Sequence, residues 1–194
     1  MKFLDNKTIA IDKELNELDK FVLGFLEIAE KHARYAVASG YVPILFGRAR
    51  ATEDVDIFIE ELPKKEFAAF LSDLEKHGWI CMNTNNEDEM FSFLEDNMAI
   101  RFHKKDSAIP NIEIKFAKKK FDRHTLEDRL KVVMQGKIVF VPSMEEQIAY
   151  KKTVLGSDKD MEDARHLEEL FKDRIDRNKL ERLEKSLRSG DYEF

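Results

Sequence analysis

Two carboxylates stand where a buried strand is about to begin. The stretch "ASGYVPILFGRARATEDVDIFIE", Ala38 to Glu60, carries Asp54 and Asp56 at the mouth of an apolar run. Residues two apart on a strand share a face. Asp54 and Asp56 are therefore expected side by side, with Val55, Ile57 and Ile59 turned into the core. Burying a carboxylate is costly unless it is hydrogen-bonded, paired with a cation or bound to a metal. The residue types leave three chemistries open: turn or capping bonds after Thr52-Glu53, ion pairing, or oxygen ligation of a divalent ion. The run "PNIEIKFA" alternates in the same way. Ile112, Ile114 and Phe116 point inward, which leaves Glu113 and Lys115 on the opposite face.

Other chemistries are poorly supplied. His32, His77, His103, His124 and His166 show no metal-ligand spacing, and Cys81 is the only cysteine. A cysteine cage for zinc and an intrachain disulfide are thereby excluded. The net charge of -6 gives no general attraction for nucleic acid, although "AKKKFDR" is a local basic run. With 43% hydrophobic and 37% charged residues the chain is globular. The apolar stretch from Tyr35 to Gly47 is broken by Ser39, Gly40 and Pro43 and is too short to cross a bilayer. The opening "MKFLDNKT" lacks the apolar core of a signal peptide. A cytoplasmic protein with no membrane partner is expected.

The elements that must position these residues follow from periodicity. "KELNELDKFVLGFLEIAEKH" is a long amphipathic helix, with Leu15, Leu18, Phe21, Val22, Phe25, Leu26 and Ala29 on one face. "RYAVAS" reads as a buried strand ended by Ser39-Gly40, "YVPILFG" as a short helix, and "VDIFIE" as a strand. Pro63 opens a helix that Gly78 stops. "WICMN", "MAIRFHKK" and "PNIEIKFA" read as strands, "NTNNEDE" as a polar loop and "HTLEDRL" as a helical turn. "KVVMQGKIVFV" is a hairpin around Gln135-Gly136. From Ser143, which with Glu146 makes a capping box, helical periodicity dominates. The organisation expected is an α/β domain over 1–141, a mixed sheet flanked by helices, with a helical segment over 142–194 packed on it.

The residues around the carboxylates carry a resemblance. "GRARATEDVDIF" is similar to the "RATxDIDL" signature of small prokaryotic nucleotidyltransferases, a group related to abortive-infection, toxin-type enzymes. Upstream stands a small-residue turn, and downstream "AYKKTVLGSDKDMEDARHL" resembles the family's lysine helix followed by "KDxxDxxxL". The family's turn is Gly-Gly or Gly-Ser, whereas here the order is Ser39-Gly40. The resemblance implies a nucleotidyltransferase-like fold and a Mg²⁺ (or Mn²⁺) site formed by Asp54, Asp56 and a third carboxylate, for which Glu113 is the candidate. It implies nucleotide contacts from Ser39, Gly40, Arg50 and Lys152. For Arg50 the alternative is a carboxylate partner that fixes its loop. For Lys152 it is exchange of roles with Lys151. Asp160 and Asp163 orient the lysine or cap a helix.

The activity so implied is transfer of a nucleoside monophosphate from a nucleoside triphosphate to an acceptor. An RNA end is the first choice of acceptor, a protein side chain or a small molecule the others, with an antitoxin-type partner as in toxin systems. The competing reading is a degenerate fold that binds a nucleotide or a protein without catalysis. A glycosyltransferase holding a nucleotide-sugar through D-x-D fits less well, because the carboxylates open their strand directly after R-A-T.

Overall fold

The structure, a computed structural model, describes residues 1–105 and 107–190. The last four residues of the helical segment expected over 142–194 lie outside them. The elements in chain order are β1 (Lys2–Phe3), β2 (Thr8–Ile11), α1 (Glu17–Ala29), β3 (Tyr35–Ala38), α2 (Tyr41–Leu45) and β4 (Asp54–Ile59). There follow α3 (Lys64–Lys76), β5 (Trp79–Cys81), α4 (Glu87–Glu95), β6 (Ile100–Lys104), β7 (Ser107–Phe116), α5 (Lys120–Glu127), β8 (Leu130–Met134) and β9 (Lys137–Val141). The chain then runs through α6 (Met144–Tyr150), a π-helical turn at Lys151–Leu155, α7 (Asp158–Leu170) and α8 (Arg177–Ser189). This is a mixed α+β fold.

The strands form two sheets. One has the order β3-β4-β7-β6-β5, the other β1-β2-β8-β9. In the first, β4 and β7 run parallel while β3, β6 and β5 pair antiparallel to their neighbours. The alternation read from the sequence holds: Val55, Ile57 and Ile59 on β4 and Ile112, Ile114 and Phe116 on β7 are buried in one core. Helices α1 and α3 cover that face, where Phe25 meets Trp79 and Phe102, and Phe67 meets Phe116. The opposite face is covered unevenly. Helix α5 lies over β3 and β4, where Ala36, Ala117 and Leu126 pack with Phe58. At the β5 end of that face Ile80 and Met82 are exposed.

Two regions differ from the sequence expectation. "NTNNEDE" is a loop only to Asn86, whose side chain accepts hydrogen bonds from the amides of Asp88 and Glu89 and so starts α4. The N-terminal residues, which show no strand periodicity, form β1 and β2. They are recruited by a distant partner: β2 pairs in parallel with β8, Ile9 opposite Val132. Among the described residues no helix is long and apolar enough to cross a membrane.

Ile9 is 1% exposed within the shared core. Ile9→Ala should therefore lower stability by about 3 kcal/mol, as a truncation in the central sheet would. Urea denaturation of the variant checks this.

Candidate functional site

The site is set by strand register. In the parallel pair β4·β7, Asp56 stands opposite Glu113 and Asp54 opposite Asn111. Asn111 closes the entry to β4, donating from its backbone and side-chain nitrogens to the carbonyl of Glu53 at 2.9 and 3.1 Å. Thr52 Oγ1 donates to the Asp54 carbonyl at 2.9 Å and lies 3.3 Å from Asp54 Oδ1. On the other side Ala38 of β3 is the partner of Asp56, so the chain leaving β3 turns beside the carboxylates.

That turn is Ser39-Gly40. Ser39 has a left-handed backbone, φ 55°, a conformation that costs a side-chain-bearing residue roughly 1–2 kcal/mol. Two bonds offset the strain: the Ser39 hydroxyl bonds Asp56, and Gln147 Nε2 donates to the Ser39 carbonyl at 2.9 Å. Gly40 has an ordinary helical φ of -68° and is needed for space. A Cβ there would stand 3.0 Å from an Arg50 terminal nitrogen and 3.3 Å from Thr52 Oγ1. The inverted order thus has a local reason: the serine supplies a hydroxyl to Asp56, and the glycine admits Arg50 over the turn.

Asp56, Glu113, Lys115 and Ser39 line a cleft of about 150 Å³ whose apolar wall includes Phe58, Phe121 and Tyr150. The Phe121 and Tyr150 rings are stacked, with centroids 5.3 Å apart. Behind the turn lies a second cluster. Asp163 of α7 is fully buried and meets Arg48, Arg50 at 2.6 Å and Lys151 at 2.7 Å. Asp160 adds a bond to Lys151 at 3.0 Å. The R-A-R-A-T loop is in this way pinned to the helical tail.

No family model matches the chain, and no curated protein matches it in sequence. Solved structures do. The antibiotic-resistance factor ANT(2'')-Ia superimposes with a TM-score of 0.55 at 16% identity, over 91% of this chain and 95% of that one. An antigenic nucleotidyltransferase-like protein from Paracoccidioides brasiliensis gives 0.53 at 18% identity, over 88% and 87%. JHP933 from Helicobacter pylori gives 0.51 at 14%, over 86% and 72%. The chain has the nucleotidyltransferase fold.

Within this nucleotidyltransferase fold, Asp54, Asp56 and Glu113 share one face of adjacent strands, with Ser39, Gly40 and Arg50 at its β3 flank. Lys152 is elsewhere. It pairs with Glu168 at 2.6 Å and Glu184 at 3.7 Å, inside the tail. Lys151 is buried against Asp160 and Asp163, and Asp56 is among the charges that act on it. The two lysines open a π-turn over residues 151–155, closed by Gly156 N–H to the Lys151 carbonyl. Lys151 is itself sealed among the aspartates, so Arg50 is the cation nearest the Ser39-Gly40 turn. Sequence reasoning missed Gln147, which anchors the turn, and Arg101, which pairs with Glu113 at 2.6 Å. Their signals are positional: Gln147 follows the capping-box Glu146, and Arg101 alternates outward on β6.

The electrostatics follow from crowding. Burial first, then the neighbouring Glu113 and Asp54, push the Asp56 carboxyl up to about 6, against the Ser39 bond and Lys115, which pull it down. Oxygen donors alone on one face, one of them held in an unfavourable charged state, match the preference of magnesium or manganese. Among the described residues, no three His, Cys, Asp or Glu side chains are gathered closely enough to hold an ion as they stand. The reason is visible at Glu113, whose oxygens are turned to Arg101 and to Lys115 at 3.4 Å.

Two predictions follow from these charges. Without metal, ionised Asp56 destabilises the fold by an amount on the order of 2 kcal/mol after allowance for partial exposure. Its folded value lies above its unfolded value of 3.8. The penalty is therefore absent below about pH 4, grows to about pH 6 and is complete above it. Asp56→Asn should be more stable than wild type at pH 8, with the difference vanishing toward pH 4 in parallel denaturation curves. Asp163→Ala should cost about 3–5 kcal/mol, because it leaves Arg48, Arg50 and Lys151 buried without their common partner. A thermal melt little changed from wild type would remove this cluster as the latch between loop and tail.

Proposed function

We propose that the chain is a nucleotidyltransferase that moves a nucleoside monophosphate from a nucleoside triphosphate to an acceptor, with Mg²⁺ or Mn²⁺ as cofactor. The observation that carries this reading is the in-register pair Asp56 and Glu113, with Asp54 two residues before, beside a cleft entered by the Ser39-Gly40 turn. Asp54, Asp56 and Glu113 would hold the ion, which when bound neutralises charge on the reacting phosphate oxygens. The chain's own groups do the rest. The backbone amides of the turn and the Arg50 guanidinium face the outer phosphates. The apolar wall of Phe58, Phe121 and Tyr150 receives the nucleoside and excludes water from it. The acceptor hydroxyl gives up its proton to solvent, and its oxygen bonds to the α-phosphorus as the bond from that phosphorus to its bridging oxygen breaks. Pyrophosphate leaves with the bonding pair.

By resemblance to toxin-type enzymes the acceptor is an RNA end in the cytoplasm, and an antitoxin-type partner would keep the activity in check. One observation favours a second reading, a nucleotide-binding module without catalysis: Glu113 is already paired with Arg101 and Lys115. Labelled nucleoside triphosphates incubated with the protein, Mg²⁺ and total RNA separate the two. Transfer of label to RNA is expected, and binding without turnover would establish the module instead.

Asp54→Asn and Asp56→Asn should each reduce transfer at least roughly a hundredfold, since neither amide can replace a carboxylate beside the reacting phosphate. Near-normal transfer by either variant, with the fold intact by circular dichroism, would end the carboxylate mechanism. Lys152→Ala should leave triphosphate affinity within about twofold of wild type, because its ion pairs lie in the tail. Isothermal titration with a nucleoside triphosphate measures it.

A further inference from the structure

The register that joins Asp56 to Glu113 continues across the sheet. Glu113 stands opposite Arg101 on β6, and the Met82 amide donates to the Arg101 carbonyl at 2.8 Å. Ala38, Asp56, Glu113 and Arg101 thus form one row on one face, crossing four strands, which Met82 continues just past the end of β5. Along β6 and β5 the next row on that face pairs His103 with Ile80. The row has a direction. Its β3 end carries the phosphate turn and is covered by α5. Its β5 end is open: the Arg101 side chain is 49% exposed, Ile80 37% and Met82 46%.

In-line displacement requires the attacking oxygen to approach opposite the leaving pyrophosphate. If the outer phosphates lie at the Ser39-Gly40 turn, the acceptor enters from the β7–β6 side. The first side chain it meets past the carboxylates is Arg101. A guanidinium makes paired bonds to phosphate, and its plane stacks on unstacked bases. Arg101 is not free as it stands, because Glu113 holds it at 2.6 Å and Lys115 at 3.4 Å. Glu113 cannot hold these cations and also turn to a divalent ion.

We propose that the open β6–β5 face is the acceptor platform, that Arg101 is its phosphate-binding residue for the end of a single-stranded RNA, and that Glu113 masks Arg101 until it turns toward the metal. This rests on the nucleotidyltransferase reading above and adds to it an acceptor surface and an order of assembly. With Glu113 turned to an ion, Arg101 and Lys115 would lose their carboxylate partner, and the acceptor phosphate would take its place. An acceptor bearing positive charge would be repelled by the same two residues.

Binding of a short fluorescent single-stranded oligoribonucleotide, followed by anisotropy without any nucleoside triphosphate, tests this apart from catalysis. Mg²⁺ should tighten binding to wild type severalfold. Glu113→Gln should bind as tightly without Mg²⁺ as wild type does with it, and should no longer respond to the ion. Arg101→Gln should weaken binding roughly tenfold and lower the salt slope by about 0.7, the value for one lost phosphate contact on a single strand. Arg101→Lys should retain the salt slope. Triphosphate affinity of Arg101→Gln, measured by titration calorimetry, should match wild type. Wild-type RNA affinity and slope in Arg101→Gln, or no gain in metal-free Glu113→Gln, would overturn the proposal. Failure of the wild-type protein to bind any triphosphate would instead remove the nucleotidyltransferase reading. Triphosphate binding with RNA binding indifferent to Arg101 would remove only the platform.

Discussion

Everything at the site depends on an unfavourable contact. Parallel pairing of β4 with β7 puts Asp56 directly opposite Glu113, and like charges on facing residues repel. A one-residue slip of β4 would relieve the repulsion but would turn Val55, Ile57 and Ile59 out of the core. Three buried aliphatic side chains, each worth about 1.5–3 kcal/mol, outweigh a charge penalty on the order of 2 kcal/mol. The hydrophobic core therefore enforces a register that the carboxylates oppose. The fold stores at Asp56 a demand for positive charge, which it meets only partly with a serine hydroxyl and the nearby Lys115.

The second cluster reverses these signs. Around Asp163 three cations converge on one buried carboxylate, with Asp160 as a further partner for Lys151. The loop between α2 and β4 is tied at both ends, by Arg48 and Arg50 to the tail and by Thr52 and Asn111 at the entry to β4. Gln147, also from the tail, holds the other flank of the site at Ser39. The tail is thus no appendage to the sheet: through Asp163 and Gln147 it holds the two backbone segments that bracket the carboxylates. A buried ion cluster adds little net stability but confines its members to one geometry, which is what a site built on a loop requires.

How much of this was legible in the sequence depended on the distance over which the signal acts. Asp54, Asp56 and Glu113 could be placed on their faces because strand alternation has period two and survives small errors in strand ends. Their juxtaposition needed the strand order, which alternation does not carry. β1 and β2 were invisible because a short strand without alternation is fixed by its partner, here β8 far along the chain. Lys152 was named from the resemblance, and a motif does not carry side-chain direction: Lys151 is buried against Asp160 and Asp163, while Lys152 pairs with Glu168 in the tail. The inverted Ser39-Gly40 looked like a defect from the motif alone. Its logic rests on a bond to Asp56 and on the approach of Arg50, neither of which is local in sequence.

The uneven cover of the outer face gives the site its polarity. Helix α5 packs over β3 and β4 through Leu126, Ala117 and Phe58, and the stacked Phe121 and Tyr150 continue that wall beside the cleft. No such apolar layer begins on β6, where outward positions are Arg101 and His103 rather than aliphatic residues. A helix laid there would bury the Arg101 charge, at a cost exceeding the little apolar area it could cover. The change from Phe58 on β4 to Arg101 on β6 therefore ends the face on which α5 can pack. The carboxylate row is left at the boundary between an enclosed half and an open half. A reaction between a small, tightly held donor and a larger acceptor needs such a boundary at the reacting atoms.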